Sequence, residues 1–138
     1  MNNFDLKKYS NFDDFVYGET NITLAPAASS TIIIQIEADA AFLATKFVYF
    51  ASIAGAALTD STRVIPLVTM QINDTGSSRN LFNKAIPLDC VGGNGQRPFM
   101  FPIKRLFNGN STINLTLTNF SAATTYRLDV AFVGEKRW

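Results

Sequence analysis

The sequence predicts an all-β fold, a single-domain antiparallel β-sandwich of jelly-roll type with about eight strands. Three observations lead there. Apolar and polar residues alternate with a period of two in several stretches. Clusters of Asn, Asp, Gly, Ser and Pro interrupt those stretches at intervals of roughly 8–15 residues, which is the spacing of short strands joined by turns. No long segment carries the 3.6-residue period of an amphipathic helix.

A length of 138 residues fits one domain. The charged share of 17% lies below the roughly 25% usual for soluble domains, and twelve phenylalanines supply bulk for a core. The chain therefore folds with apolar surface to spare.

Residues 1–20 read differently from the rest. Phe4, Tyr9, Phe12, Phe15 and Tyr17 are mixed with Asn, Asp and Lys without a clean period. This stretch is expected to be an irregular N-terminal arm or cover segment, with the β-sandwich domain spanning residues 21–138. It either lies over its own domain or docks its aromatics on a neighbouring subunit.

From Thr31, Ile32, Ile34 and Ile36 fall on one side and Ile33, Gln35 and Glu37 on the other, a β-branched run suited to a strand. Phe42 to Ser52 sets Phe47, Tyr49 and Ala51 against Val48 and Phe50, as in a strand covered on both faces. The Ala- and Gly-rich stretch from Ala51 to Ala57 reads as a connection. Arg63 to Asn73 alternates Val68, Met70 and Ile72 with Thr69 and Gln71, and the polar run Asn73 to Ser78 ends it. Arg79 to Asp89 reads as a strand with Pro87 at an edge or an end. Val91 to Pro98 is a flexible glycine-rich loop, and Phe99 to Ile103 a short apolar strand. After the Asn108-Gly109 turn signal, Ile113, Leu115 and Leu117 face inward. So do Tyr126, Leu128, Val130 and Phe132 in the last strand, with Arg127 and Asp129 outward.

The residue types present exclude more chemistry than they suggest. There is no histidine, so no Ser-His-Asp or Cys-His site exists within the chain, and the commonest metal ligand is missing. Cys90 is the only cysteine and reads as structural. A phosphate loop requires a Lys-Ser/Thr and a helix after its glycines, whereas Gly92-Gly93-Asn94-Gly95 is followed by Gln96-Arg97-Pro98. Asp60 and Asp74 sit in turn contexts. The triplets beginning at Asn21, Asn73, Asn110, Asn114 and Asn119 are glycosylation acceptors only in a secretory compartment. The start, Met1-Asn2-Asn3-Phe4-Asp5, has no signal-peptide layout. No run reaches the roughly 18 apolar residues of a membrane helix. A net charge of +1 supplies no field to gather nucleic acid. The expectation is a binding protein with no cofactor, no metal, no small-molecule substrate, no nucleic acid and no membrane.

The stretch from residue 60 onward adds a resemblance. Val64-Ile65-Pro66-Leu67-Val68-Thr69-Met70-Gln71-Ile72 is followed by Asp74-Thr75-Gly76-Ser77-Ser78-Arg79-Asn80-Leu81-Phe82. The segments "IPLDCVGGNGQRPFMFP", "LFNGNSTINLTLTN" and "YRLDVAFVGEKRW" come after it. In layout this resembles the head decoration or cementing proteins of tailed bacteriophages, small virion proteins that are often β-sandwiches or jelly rolls. The resemblance implies a protein on the outside of a phage capsid, assembled in the host cytoplasm, that ties neighbouring major capsid subunits together. It implies the major capsid protein and copies of the chain itself as partners, as a homodimer or homotrimer. The arm aromatics Phe4, Tyr9, Phe12, Phe15 and Tyr17 are then the expected partner contacts, with Asn94, Gln96 and Arg97 of the glycine-rich loop as a second set. Two alternatives share the fold: a tail, neck or fibre component, and a carbohydrate-binding module, against which the single Trp138 at the end of the sequence argues.

Overall fold

The structure, a computed structural model, describes residues 12–56, 62–93 and 97–137. Among the described residues, nine strands and one helical turn follow in order. They are β1 (Phe12–Leu24), β2 (Ser29–Gln35), β3 (Ala41–Ile53), β4 (Val68–Asp74), β5 (Arg79–Asn80), β6 (Ile86–Pro87), α1 (Leu88–Val91), β7 (Phe99–Phe107), β8 (Thr112–Asn119) and β9 (Tyr126–Arg137). They form two antiparallel sheets, β1-β9-β3-β7 and β2-β8-β4-β5, with β6 also pairing β4. Most successive strands switch sheets, so the two layers are wrapped together as a jelly roll. The all-β sandwich expected from the alternating pattern is the observed fold.

The core lies between the layers. Ile113, Leu115 and Leu117 of β8 face Leu128, Val130 and Phe132 of β9 across the sandwich, all buried. Phe132 is the aromatic hub: its ring centroid lies 4.9 Å from Phe47, 6.0 Å edge-on from Phe107 and 6.4 Å from the parallel Phe101. Such offset and edge-on pairs add to burial because the positive ring edge meets the negative face.

Two bulges set the phase of the sheet containing β1. In β1 the register with β9 shifts between Glu19 and Ile22, and Asn21 sits there with φ of 58°, in the left-handed region that asparagine tolerates. Its amide donates to Asp129 Oδ1 at 2.8 Å, and its side-chain oxygen accepts from Arg127 Nε at 2.9 Å. In β3 the shift falls at Thr45, whose hydroxyl donates to the Val133 carbonyl at 3.0 Å. Gly134 lies opposite Ala44, where an added Cβ would collide with the Leu43 carbonyl.

Four expectations change. Residues 12–20 belong to β1, so the 20/21 boundary falls inside a strand. The strand expected from Arg63 begins only at Val68, because Pro66 cannot donate to a ladder. The strand expected over Arg79–Asp89 is two short pairings followed by α1, with Pro87 as the N-cap. The strand from Phe99 continues to Phe107.

Candidate interaction surfaces

Of the side chains expected to meet a partner, Phe4, Tyr9, Asn94 and Gln96 lie outside the described residues, and Phe12 is described only as backbone, opposite Arg137 at the start of β1. Phe15 and Tyr17 are used inside the domain. Tyr17 is buried, packs edge-on against Phe42 at 4.8 Å, and its hydroxyl accepts from the Glu37 amide at 3.0 Å. Phe15 packs against Tyr17 with its ring tilted by 60° and carries the Lys136 ammonium 4.2 Å above its ring. Lys136 also pairs with Glu37 at 3.2 Å and Asp39 at 3.3 Å. Burial disfavours its charge, but the bonds to Glu37 and Asp39 outweigh that and hold its pKa above the ordinary lysine value. This cluster closes one end of the sandwich with one cation and two acidic side chains. Arg97 is exposed beside the glycine-rich loop.

The two outer faces of the sandwich differ in chemistry. The outer face of the β2-β8-β4 sheet is a ladder of short polar side chains satisfied by one another. Ser29 meets Thr118 at 2.8 Å, Thr75 meets Thr112 at 3.0 Å, Thr112 donates to Asn114 at 3.1 Å, and Asn73 donates to Asn80 at 2.9 Å. Ile33 is the apolar exception. A face whose hydrogen-bonding capacity is met internally, with little apolar area, suits water.

The outer face of the β1-β9-β3-β7 sheet is apolar by contrast. Val16, Met100 and Leu106 are each half-exposed or more, and Val48, Phe50, Ala131 and Val133 are partly exposed between them. Register places Val16 beside Val133 and Gly18 beside Ala131, with Ala131 beside Val48 in turn. The smallest side chains therefore meet at the centre of the face. Two adjoining depressions result, both touching Val16. One, of about 380 Å³, is floored by Gly18, Val48, Phe50 and Ala131. The other, of about 570 Å³, is bordered by Asp14, Lys46, Lys104, Val133 and Glu135. A contiguous apolar face rimmed by charge is the usual mark of an interaction surface.

The expectation that β3 is covered on both faces changes here, since Val48 and Phe50 are partly exposed, and sequence reasoning missed that Ala131 and Val133 on the polar phase of the last strand extend the same apolar face. Further apolar projection comes from β7. Residues 101–104 form a broad bulge opposite the β3 bulge, and Ile103 at its tip is 86% exposed.

A cleft of about 440 Å³ at the opposite end of β3 is lined by Tyr49, Arg63, Ile65, Asp89 and Arg97. The Tyr49 hydroxyl donates to Asp89 at 3.0 Å, and burial together with that bond and the Asp89 charge pushes its pKa up to about 12, only partly offset by Arg63. A phenol held neutral in this way is a structural hydrogen-bond donor and a poor base. Arg63 lies 5.1 Å over the Phe50 ring. Among the described residues, no group of three acidic or cysteine side chains is placed to hold a metal ion. Cys90 is exposed.

No protein-family model matches the chain. No curated protein matches it either. Among solved structures, a chain of the cyanophage Pam1 capsid asymmetric unit shares the fold, with a TM-score of 0.52, 15% sequence identity, and coverage of 93% of this chain and 87% of that one.

Proposed function

We propose that the chain is a non-enzymatic structural protein of a phage particle, which binds the outside of the capsid and ties neighbouring major capsid subunits together. The observation that carries this reading is the fold shared along nearly the whole length with a chain of the cyanophage Pam1 capsid asymmetric unit. The chemistry supports it. The sequence has no histidine, Glu37, Asp39, Asp74, Asp129 and Glu135 are held in ion pairs, and the distinctive surface is apolar. A tie of this kind works by buried area and shape, for which a rigid sandwich with one water-suited face and one apolar face is a fitting scaffold. Assembly in the host cytoplasm suits an exposed, unpaired Cys90. The aromatics ahead of β1, Phe4, Tyr9 and Phe12, and the loop residues Asn94, Gln96 and Arg97, remain the proposed partner contacts.

The test is co-sedimentation of the purified chain with phage heads that lack it, beside purified tails and a glycan array. Saturable binding to heads supports the reading. Binding to tails alone would replace it with a tail or neck component, and glycan binding alone with a carbohydrate-binding module.

A further inference from the structure

We propose that the apolar outer face of the β1-β9-β3-β7 sheet is the seat for residues 1–11 of a second copy of this chain. The inference rests on the reading above only in that copies of the chain work side by side.

The face needs an apolar occupant. Val16, Val48, Ala131 and Val133 hold apolar area in water, and the Gly18–Ala131 pair hollows the centre between Val16 and Phe50, whose ring carries the Arg63 guanidinium. The opposite face of the sandwich has no such need, because its threonines and asparagines satisfy one another.

Residues 1–11 carry the matching chemistry. Phe4 and Leu6 are two positions apart, so an extended chain turns both to one side, and Tyr9 adds a third apolar body. Asp5 and Lys7-Lys8 are of both signs, as is the rim of the face, where Asp14 and Glu135 stand beside Lys46 and Lys104. Eleven residues span at most about 36–40 Å, enough to cross one sheet of a neighbour.

The direction of β1 selects the second copy. Phe12 pairs with Arg137 at the end of the sheet, and β1 runs from there across it. Residues that continue backward along β1 leave their own face, so seating them on it requires a reversal at residue 11. A neighbour related by two-fold symmetry receives the segment without reversal and returns its own, covering both faces in one step.

The experiment uses the full chain with Cys90→Ser throughout. One preparation carries Phe4→Cys and another Val48→Cys, and the two are mixed and oxidised. Any bridge between positions 4 and 48 then joins two molecules, and mass spectrometry of the linked peptides identifies it. The expected result is a 4–48 bridge as the main linked product. Its absence in a sample that sedimentation velocity shows to be oligomeric would overturn the proposal. So would a doubly substituted chain that closes its bridge within one molecule at every dilution.

A second variant guards against misreading a failure to cross-link. Val48→Lys with Ala131→Lys should keep its cooperative melt yet sediment as a monomer. An unchanged oligomer would refute the seat. Head binding, measured separately, distinguishes the two readings. Heads bound without a 4–48 bridge sink this inference alone, and a bridge without head binding sinks the capsid reading alone.

Discussion

Replacing Phe132 tests the packing on which every surface of this molecule depends. The side chain is fully buried in β9 and touches rings from two other strands of its own sheet, Phe47 of β3, and Phe101 and Phe107 of β7. Phe132→Leu keeps most of the apolar volume but removes the three ring contacts, each worth about 0.5–1.5 kcal/mol beyond area. Allowing for partial repacking, the loss is about 2 kcal/mol. A domain of this size loses about 3–5 °C of Tm per kcal/mol, so the melt should fall by about 6–10 °C. Phe132→Ala adds a cavity and costs about 3–5 kcal/mol, a large share of the 5–15 kcal/mol typical of a whole domain. The assay is urea and thermal unfolding followed by circular dichroism, with Ile103→Ser at the exposed β7 tip as the control, expected within about 0.5 kcal/mol of the parent. A Phe132→Leu midpoint indistinguishable from the parent would refute the hub.

Further outcomes follow from the polar contacts. Asp74, 2% exposed at the end of β4, accepts from the Gly76 amide, the Ser77 hydroxyl and Arg105 of the other sheet, so Asp74→Ala should cost about 2–3 kcal/mol in urea unfolding, and Asp74→Asn less. Asn119→Ala, which frees the carbonyls of Leu24, Ala25 and Thr124 that its amide now serves, should cost about 1–3 kcal/mol by the same measurement. Tyr49 should ionise near pH 12 in an ultraviolet titration, and Asp89→Asn should move that transition down toward the ordinary tyrosine value. Because the folded pKa of Tyr49 is raised, its stabilising share is complete below the unfolded value and is lost as pH climbs toward about 12. The raised pKa of Lys136 acts in the same direction, and Lys136→Met should remove that part of the alkaline loss in stability against pH.

The sandwich was legible wherever a strand keeps one phase. β8 alternates without fault from Thr112 to Asn119, and β9 from Tyr126 to Lys136, because both are inner strands of their sheets with one face in the core. β1 was illegible for a local reason. Phe15 and Tyr17 point inward on odd positions, the bulge at Asn21 shifts the phase, and Ile22 and Leu24 continue on even ones, so no single alternation spans the strand. The same device at Thr45 divides β3 into Phe42 and Ala44 before the bulge and Phe47 after it. Tyr17 looked like a free aromatic of an arm for that reason, whereas pairing with β9 makes it core. The apolar outer face escaped notice because a period of two reports which residues share a face, not whether the second face meets water. Val48 and Ala131 become neighbours only through the pairing of β3 with β9, which is long-range information.

The capsid reading is tested most directly by quantitative mass spectrometry of phage heads reconstituted with an excess of the chain and purified away from it. The account predicts a saturating copy number in fixed ratio to the major capsid protein, unchanged when the excess is doubled. A folded chain that leaves no stoichiometric trace on the heads would contradict it.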